Sequence, residues 1–336
     1  MRLPKTLSQA CRQLKQITRG RFASMQSNLS ESGRTILPGD TSHVFQPRSY
    51  PGSRNRHYLV HTPNGQTDEK PRPLVLVLHG CQQNNHDIEQ ISGFNELADR
   101  HGFLVAYPYI TSYSGMRLEN CWGWWLKNEI QAGAGEVEDL WQIIEEIKQH
   151  YAVDEKCVHV TGLSSGAGMA IAMLVAHGDK IASGAAVAGV PYAEKTDAVR
   201  HAMNSAPINR PIEEIVSAMQ LELAENQSTI PLQIIHSLND ETVDVHSALV
   251  LRDSWGQVFD INTQEAHKTN SGSTGSTEWQ HSHFYENNGK SVIETLFLKG
   301  PGHGWYGGKP GDYSFPDAPD TAALIWEFFA SHQLHD

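Results

Sequence analysis

The sequence predicts an α/β fold: a mostly parallel, doubly wound sheet with helices on both faces. Three observations lead there. Short apolar runs alternate with amphipathic stretches along most of the chain. Several of those runs are apolar at every position rather than at every second one. Small residues crowd the place where a buried strand hands over to a buried helix. Strands that are apolar throughout are covered on both faces, as in parallel sheets, and the repeated βα order supplies the helices that cover them.

The elements follow in order. Leu3, Leu7, Ala10, Cys11, Leu14 and Ile17 lay one apolar stripe along a short basic helix. The next stretch, "SMQSNLSESGRTILPGDTS", is polar and punctuated by Gly and Pro, so residues 1–44 are expected to be a basic helix and a flexible linker. Residues 45–336 are expected to form one large domain, since α/β folds of this length often keep a single core. Its strands are read from "HYLVHTP", "PLVLVLHG", "GFLVAYP", "CVHVTG", "ASGAAVAGV", "PLQIIHS" and "IETLFLKG". Leu74 to Leu78 shows the two-sided burial most clearly. Helices are read where Val137, Leu140, Trp141, Ile144 and Ile147 share a face, and where Leu324, Ile325, Phe328 and Phe329 close the chain. The tract "NSGSTGST", Asn270 to Thr277, is expected to be a flexible loop.

Composition removes several function classes. Hydrophobic residues are 39% of the 336, enough for a large core. The net charge is −12, although residues 1–56 hold ten Lys/Arg against two acids. An acidic body does not suit a phosphate backbone, so no nucleic-acid partner is expected. No stretch has the roughly 18 uninterrupted apolar residues of a spanning helix. The first thirty residues scatter Arg and Lys and form no apolar core of a secretory signal. Four cysteines without CxxC spacing make neither a disulfide scaffold nor a zinc knuckle. His281-x-His283 is the one close histidine pair, and an exposed alternating strand accounts for it better than a metal does.

Chemistry concentrates around Gly162-Leu163-Ser164-Ser165-Gly166, a G-x-S-x-G pattern between the strand "CVHVT" and the helix "AGMAIAMLVAH". A strand-to-helix turn of this kind is tight, and glycines two positions either side of Ser164 remove side chains that would clash. Ser164 then stands at the carboxyl edge of the sheet as a candidate nucleophile. A serine hydroxyl needs a histidine base and a carboxylate that holds the base in its productive tautomer. "PLQIIHSLNDETVDVHSA" runs from a buried strand into a polar loop, with Asp240 the first candidate acid and Asp244 the reserve. "LFLKGPGHGWYGG" places His303, the candidate base, just past the last strand. A tetrahedral intermediate also needs two donors aimed at its oxyanion. The backbone N–H of Ser165 is one candidate and that of Cys81, after "VLVLHG", the other. His79 is read as steadying that loop.

The pieces "LHGCQQN", "ELADRHGFLVAYP", "NCWGWW", "GAGEVEDL", "VTGLSSGAGMA", "AGVPY", the "ND" of "SLNDETV", "GPGHGWYGG" and "DYSFPDAPDTAALIWEFF" together span Arg56 to Phe329. In order and spacing they resemble the poly(3-hydroxybutyrate) depolymerase family of esterases, which includes feruloyl and acetylxylan esterases. The resemblance implies an α/β-hydrolase fold and a serine ester hydrolase without cofactor or metal. It implies Ser164 as nucleophile, Asp240 as acid, His303 as base, and Cys81 and Ser165 as oxyanion donors. It further implies a disulfide between Cys81 and Cys121 and suggests an extracellular setting. Trp122, Trp124 and Trp305 are expected to line the substrate cleft, with burial in the core as the alternative. A short-chain hydroxyalkanoate polyester, or its oligomers, is the expected substrate. A feruloyl or acetyl ester on plant polysaccharide is the runner-up, and a non-catalytic binding protein of the same fold is the rival from another class.

Overall fold

The computed structural model describes residues 39–63, 70–110, 119–195, 210–224 and 227–334. The basic helix read from Leu3 to Ile17 lies outside them. The chain divides into Met1–Pro38 and Gly39–Asp336.

One ten-stranded sheet organises the second unit, in the order β1-β2-β4-β3-β5-β6-β7-β10-β9-β8. Its strands are β1 (Asp40–Phe45), β2 (Arg56–His61), β3 (Arg72–Leu78), β4 (Leu104–Tyr109) and β5 (Val153–Leu163). They continue with β6 (Ser183–Val187), β7 (Leu232–Ser237), β8 (Lys268–Thr274), β9 (Thr277–Tyr285) and β10 (Ser291–Lys299). From β4 through β3, β5, β6 and β7 to β10 every pairing is parallel; β1 and β2 at one end, and β9 and β8 at the other, are antiparallel additions. Every apolar run read as a strand forms one. The helices are α1 (Asn85–Ser92), α2 (Phe94–His101), α3 (Gly135–His150), α4 (Ser165–Ala176), α5 (Ile212–Glu222), α6 (Val245–Val258) and α7 (Thr321–Ala330).

β3 shows why a continuous apolar run suits this position. Leu74, Leu76 and Leu78 point into the core shared with α3, α4, α5 and α6, whereas Val75 and Val77 enter the one shared with α1, α2 and α7. All five are fully buried. Each such side chain stabilises the fold by about 1.5–3 kcal/mol relative to exposure, and neither face could be made polar without loss.

Two sequence expectations are corrected. β1 begins at Asp40, inside the stretch read as linker up to residue 44. Phe45 is its one fully buried residue, so the strand carries no apolar run; its ladder to β2, Phe45 in the core and the Asp40–His61 contact at 2.6 Å hold it. The tract read as a flexible loop at Asn270–Thr277 is instead a hairpin, β8 turning through Gly275 and Ser276 into β9. Every β8 side chain is exposed, so backbone pairing holds it where hydrophobic periodicity gives no signal.

Candidate active site

The elbow is the most constrained point of the sheet edge. Ser164 has φ 55 and ψ −114, in a region that side chains rarely adopt. A Cβ at Gly162 would come within 2.5 Å of the Gly166 carbonyl carbon, and one at Gly166 within 2.3 Å of the Leu78 oxygen. Only hydrogen fits at either position. The turn is pinned because the Ser164 N–H donates to the Val187 oxygen at 2.9 Å and the Gly168 N–H to the Ser164 oxygen at 3.0 Å.

Asp240 and His303 leave the adjacent parallel strands β7 and β10, and their loops are laced together. Ser237 Oγ donates to the Pro301 oxygen, the Asn239 N–H to Ser237 Oγ at 3.0 Å, and the Gly300 N–H to Asn239 Oδ1 at 2.9 Å. His303 Nδ1 lies 2.6 Å from Asp240 Oδ2. The carboxylate can only accept, so Nδ1 carries the proton and Nε2 keeps its lone pair. Asp240 Oδ1 takes the Thr242 and Val243 N–H groups, each at 2.8 Å. Burial alone pushes this carboxyl up, but the hydrogen bond from the His303 imidazole leads the opposing effects that hold the group below its ordinary value. Asp244 stands elsewhere, capping α6 by accepting the His246 N–H at 2.7 Å.

Ser164, Ser165, Cys81 and His303 line one cleft of about 440 Å³, and Asp240 sits behind His303 rather than on its wall. The disulfide Cys81–Cys121 is present, tying the loop after β3 to the loop that carries the tryptophans. Around it the neighbouring N–H groups have partners: Gly80 donates to Gln83 Oε1 at 2.9 Å and Gln82 to the Glu119 oxygen at 2.6 Å. His79 is fully buried, donates from Nδ1 to the Gly80 oxygen at 2.8 Å and accepts the Ile110 N–H on Nε2 at 3.2 Å. Burial holds its imidazole down to about 4, so it stays neutral and braces the loop.

The three tryptophans separate. Trp124 lines the cleft, packed with Val190 and Val243 against the disulfide. Trp122 and Trp305 are fully buried and do not. Trp122 Nε1 donates to the His79 oxygen at 3.0 Å, and Trp305 packs against Phe94 in the core beneath α1 and α2. A tryptophan beside a site residue can face either way, and these two satisfy the core.

Several lining or supporting residues went unread in the sequence. Trp125 meets Trp124 edge to face at 4.5 Å, and Tyr313 Oη donates to Gln82 Oε1 at 2.8 Å across the cleft. His236, fully buried, donates from Nε2 to the Val243 oxygen at 2.8 Å and so supports the acid loop. Farther back, Arg54 pairs with Glu129 at 2.7 Å, Glu129 accepts the Glu136 N–H at 3.1 Å, and Glu136 accepts the Gly123 N–H at 2.7 Å. That relay fixes the Trp122–Trp125 loop from outside. Arg54 lies far along the chain from Glu129 and Glu136, and only the fold shows that the three are linked.

Comparison with known proteins now decides the lineage. The family described as "Esterase PHB depolymerase" matches residues 56–262. The chain belongs to that family. The stretch includes Ser164 and Asp240. Among relatives of this esterase family member, poly(3-hydroxyalkanoate) depolymerase C of Paucimonas lemoignei is 36% identical over 138 residues, 41% of this chain and 32% of that protein. This match therefore spans about a third of the depolymerase. A probable acetylxylan esterase A of Aspergillus flavus is 26% identical over 283 residues, 81% of this chain and 87% of that one. Among solved structures, acetyl xylan esterase from Aspergillus awamori superposes with a TM-score of 0.66 at 18% identity, covering 87% of this chain and 99% of its own. The fold is that of the α/β-hydrolases. Among the described residues no helix is long and apolar enough to cross a membrane.

Proposed function

We propose that this esterase family member is a serine ester hydrolase that works through an acyl-enzyme. Ser164 Oγ attacks the ester carbonyl while His303 Nε2 takes its proton. The Cys81 and Ser165 N–H groups stabilise the oxyanion, each contributing about 3 kcal/mol in the transition state. His303 returns the proton to the departing alcohol, and water then releases the acid by the same route in reverse. Asp240 orients His303 and stabilises its charged form. The observation that carries the reading is the 2.6 Å contact between His303 and Asp240 with Ser164, on a strained turn, lining the same cleft as His303.

For substrate, the reading is a short-chain hydroxyalkanoate polyester or its oligomers. Trp124, Val190 and Val243 offer a small apolar wall suited to a short acyl unit, and the polyester depolymerase has the higher identity. An acetyl ester on polysaccharide is the second reading, favoured by the acetylxylan esterase relative that matches along most of both chains. No nucleic-acid partner is proposed. Catalysis is assigned to residues 39 onward, which hold every residue named in the mechanism.

Purified protein and Ser164→Ala, assayed on p-nitrophenyl butyrate, test the mechanism. The variant should lose at least about 10⁴-fold in kcat; equal rates would end the proposal. Release of acid from a poly(3-hydroxybutyrate) emulsion and from acetylated xylan, run side by side, ranks the two substrates.

A further inference from the structure

The outer end of the sheet holds a second grouping of imidazoles around a carboxylate, well away from the cleft. His281 and His283 stand two residues apart on β9, so they share one face of the sheet. Glu294 on β10 is the direct cross-strand partner of His283. His281 Nε2 lies 2.9 Å from Glu294 Oε2, and His283 Nδ1 lies 3.0 Å from Glu294 Oε1. The pair read from sequence as an exposed strand feature is in fact mostly covered, with side chains 16% and 14% exposed. Glu294 was invisible to that reading because only the β9–β10 register brings it alongside.

We propose that His281, His283 and Glu294 form a binding site for a divalent first-row transition ion, with zinc the ion the ligand set favours. Two imidazoles and one carboxylate are borderline ligands, and this combination leaves a coordination position for water. The three ligand atoms all lie within 4.8 Å of one another. Zinc bonds of about 2.0–2.2 Å in a tetrahedron put neighbouring ligands roughly 3.4 Å apart. The two imidazole-to-carboxylate separations already fall below that value, and the imidazole-to-imidazole separation is within 4.8 Å.

The support around the carboxylate is that of a ligand held in place. Gln233 Nε2 donates to Glu294 Oε2 at 3.1 Å from the neighbouring strand β7, and Ser291 Oγ to Oε1 at 3.1 Å beside a bulge in β10. Both persist when the imidazoles turn from the carboxylate to an ion. Each imidazole would then hold its hydrogen on the ring nitrogen away from the metal, Nδ1 of His281 and Nε2 of His283. The ion would staple β9 to β10, and through Gln233 to β7, where the sheet leaves its parallel core. That makes it a structural clamp on the hairpin whose last strand runs on to His303.

The test uses the full chain without an affinity tag, stripped with EDTA and titrated with zinc chloride by calorimetry. One equivalent should bind with a dissociation constant of about 10 µM or tighter, and saturation should raise the melting temperature by several degrees, as linkage requires. The His281→Gln/His283→Gln variant should weaken zinc binding at least about 100-fold, since losing ligands costs no less than losing their outer partners. Its turnover of p-nitrophenyl butyrate in EDTA should stay within about twofold of the parent, because none of these residues touches the cleft. Cobalt(II) added to the parent chain should give the visible absorption of a low-coordinate site, a readout that does not depend on any variant folding. A parent chain that takes up zinc only at millimolar concentration, or a folded double variant that binds it unchanged, overturns the proposal.

Discussion

Two clusters in this molecule are built from the same parts and face different ends. At the cleft, Asp240 hydrogen-bonds one imidazole, with that of His236 3.6 Å away, and fills its other oxygen with two backbone N–H groups. Toward the β8 end of the sheet, on β10, Glu294 holds two imidazoles and takes side-chain donors from Ser291 and Gln233. Both carboxylates are buried and both are held below their ordinary values by histidine. What separates them is where they stand. Asp240 and His303 sit on loops past the ends of parallel strands, with His303 on the wall of a cleft that also holds Ser164. Glu294, His281 and His283 sit within strands, joined by register, and line no part of that cleft. A carboxylate–imidazole pair thus takes its role from the element that bears it as much as from its own hydrogen bond.

The sharpest way to break that comparison is to neutralise each carboxylate. Asp240→Asn should lower kcat by about 10³–10⁴-fold by favouring the wrong tautomer of His303. Glu294→Gln should leave kcat within about twofold and instead cost roughly 1–3 kcal/mol of stability, as buried donors lose their acceptor. Parallel kinetics and urea melts on the two variants read the difference, and a matched loss of kcat in both would remove it.

Acid titration sharpens it further. A carboxyl with a depressed folded-state pKa adds stability above its unfolded value, about 4, and that stability fades as pH falls through the folded value. Urea midpoints of the parent should therefore drop steeply below about pH 4, and Glu294→Gln should show a shallower drop. Identical slopes would mean that the outer cluster contributes nothing to acid sensitivity.

The smallest effect should come from the far end of the chain. Removing residues 1–38 should change kcat/KM on soluble esters by less than about twofold, since all residues of both clusters follow Gly39. A tenfold loss would place part of the cleft's support in the head.

Much of this was legible in the sequence because burial writes itself into long apolar runs. β3 and β5 read as covered strands, and the glycines around Ser164 read as a turn too tight for side chains. Elements that carry no apolar run, β1 and β8, gave no such signal, since their backbone ladders and polar contacts leave no hydrophobic period. Tryptophan was ambiguous for a related reason: Trp122 and Trp305 are large enough to anchor a core while neighbouring site residues in sequence. Contacts across long separations were beyond reach. Gln82 and Tyr313 meet across 231 positions, and Glu294 joins the histidine pair only through the register of β9 and β10.

The lacing of Ser237 and Asn239 to Pro301 and Gly300 has a practical corollary for protein engineering. Acid and base travel as one cassette, so a graft that replaces the segment after β10 must bring the turn after β7 with it. Recombination between relatives should cross over outside both segments, leaving Ser164's turn as the separate half to be matched.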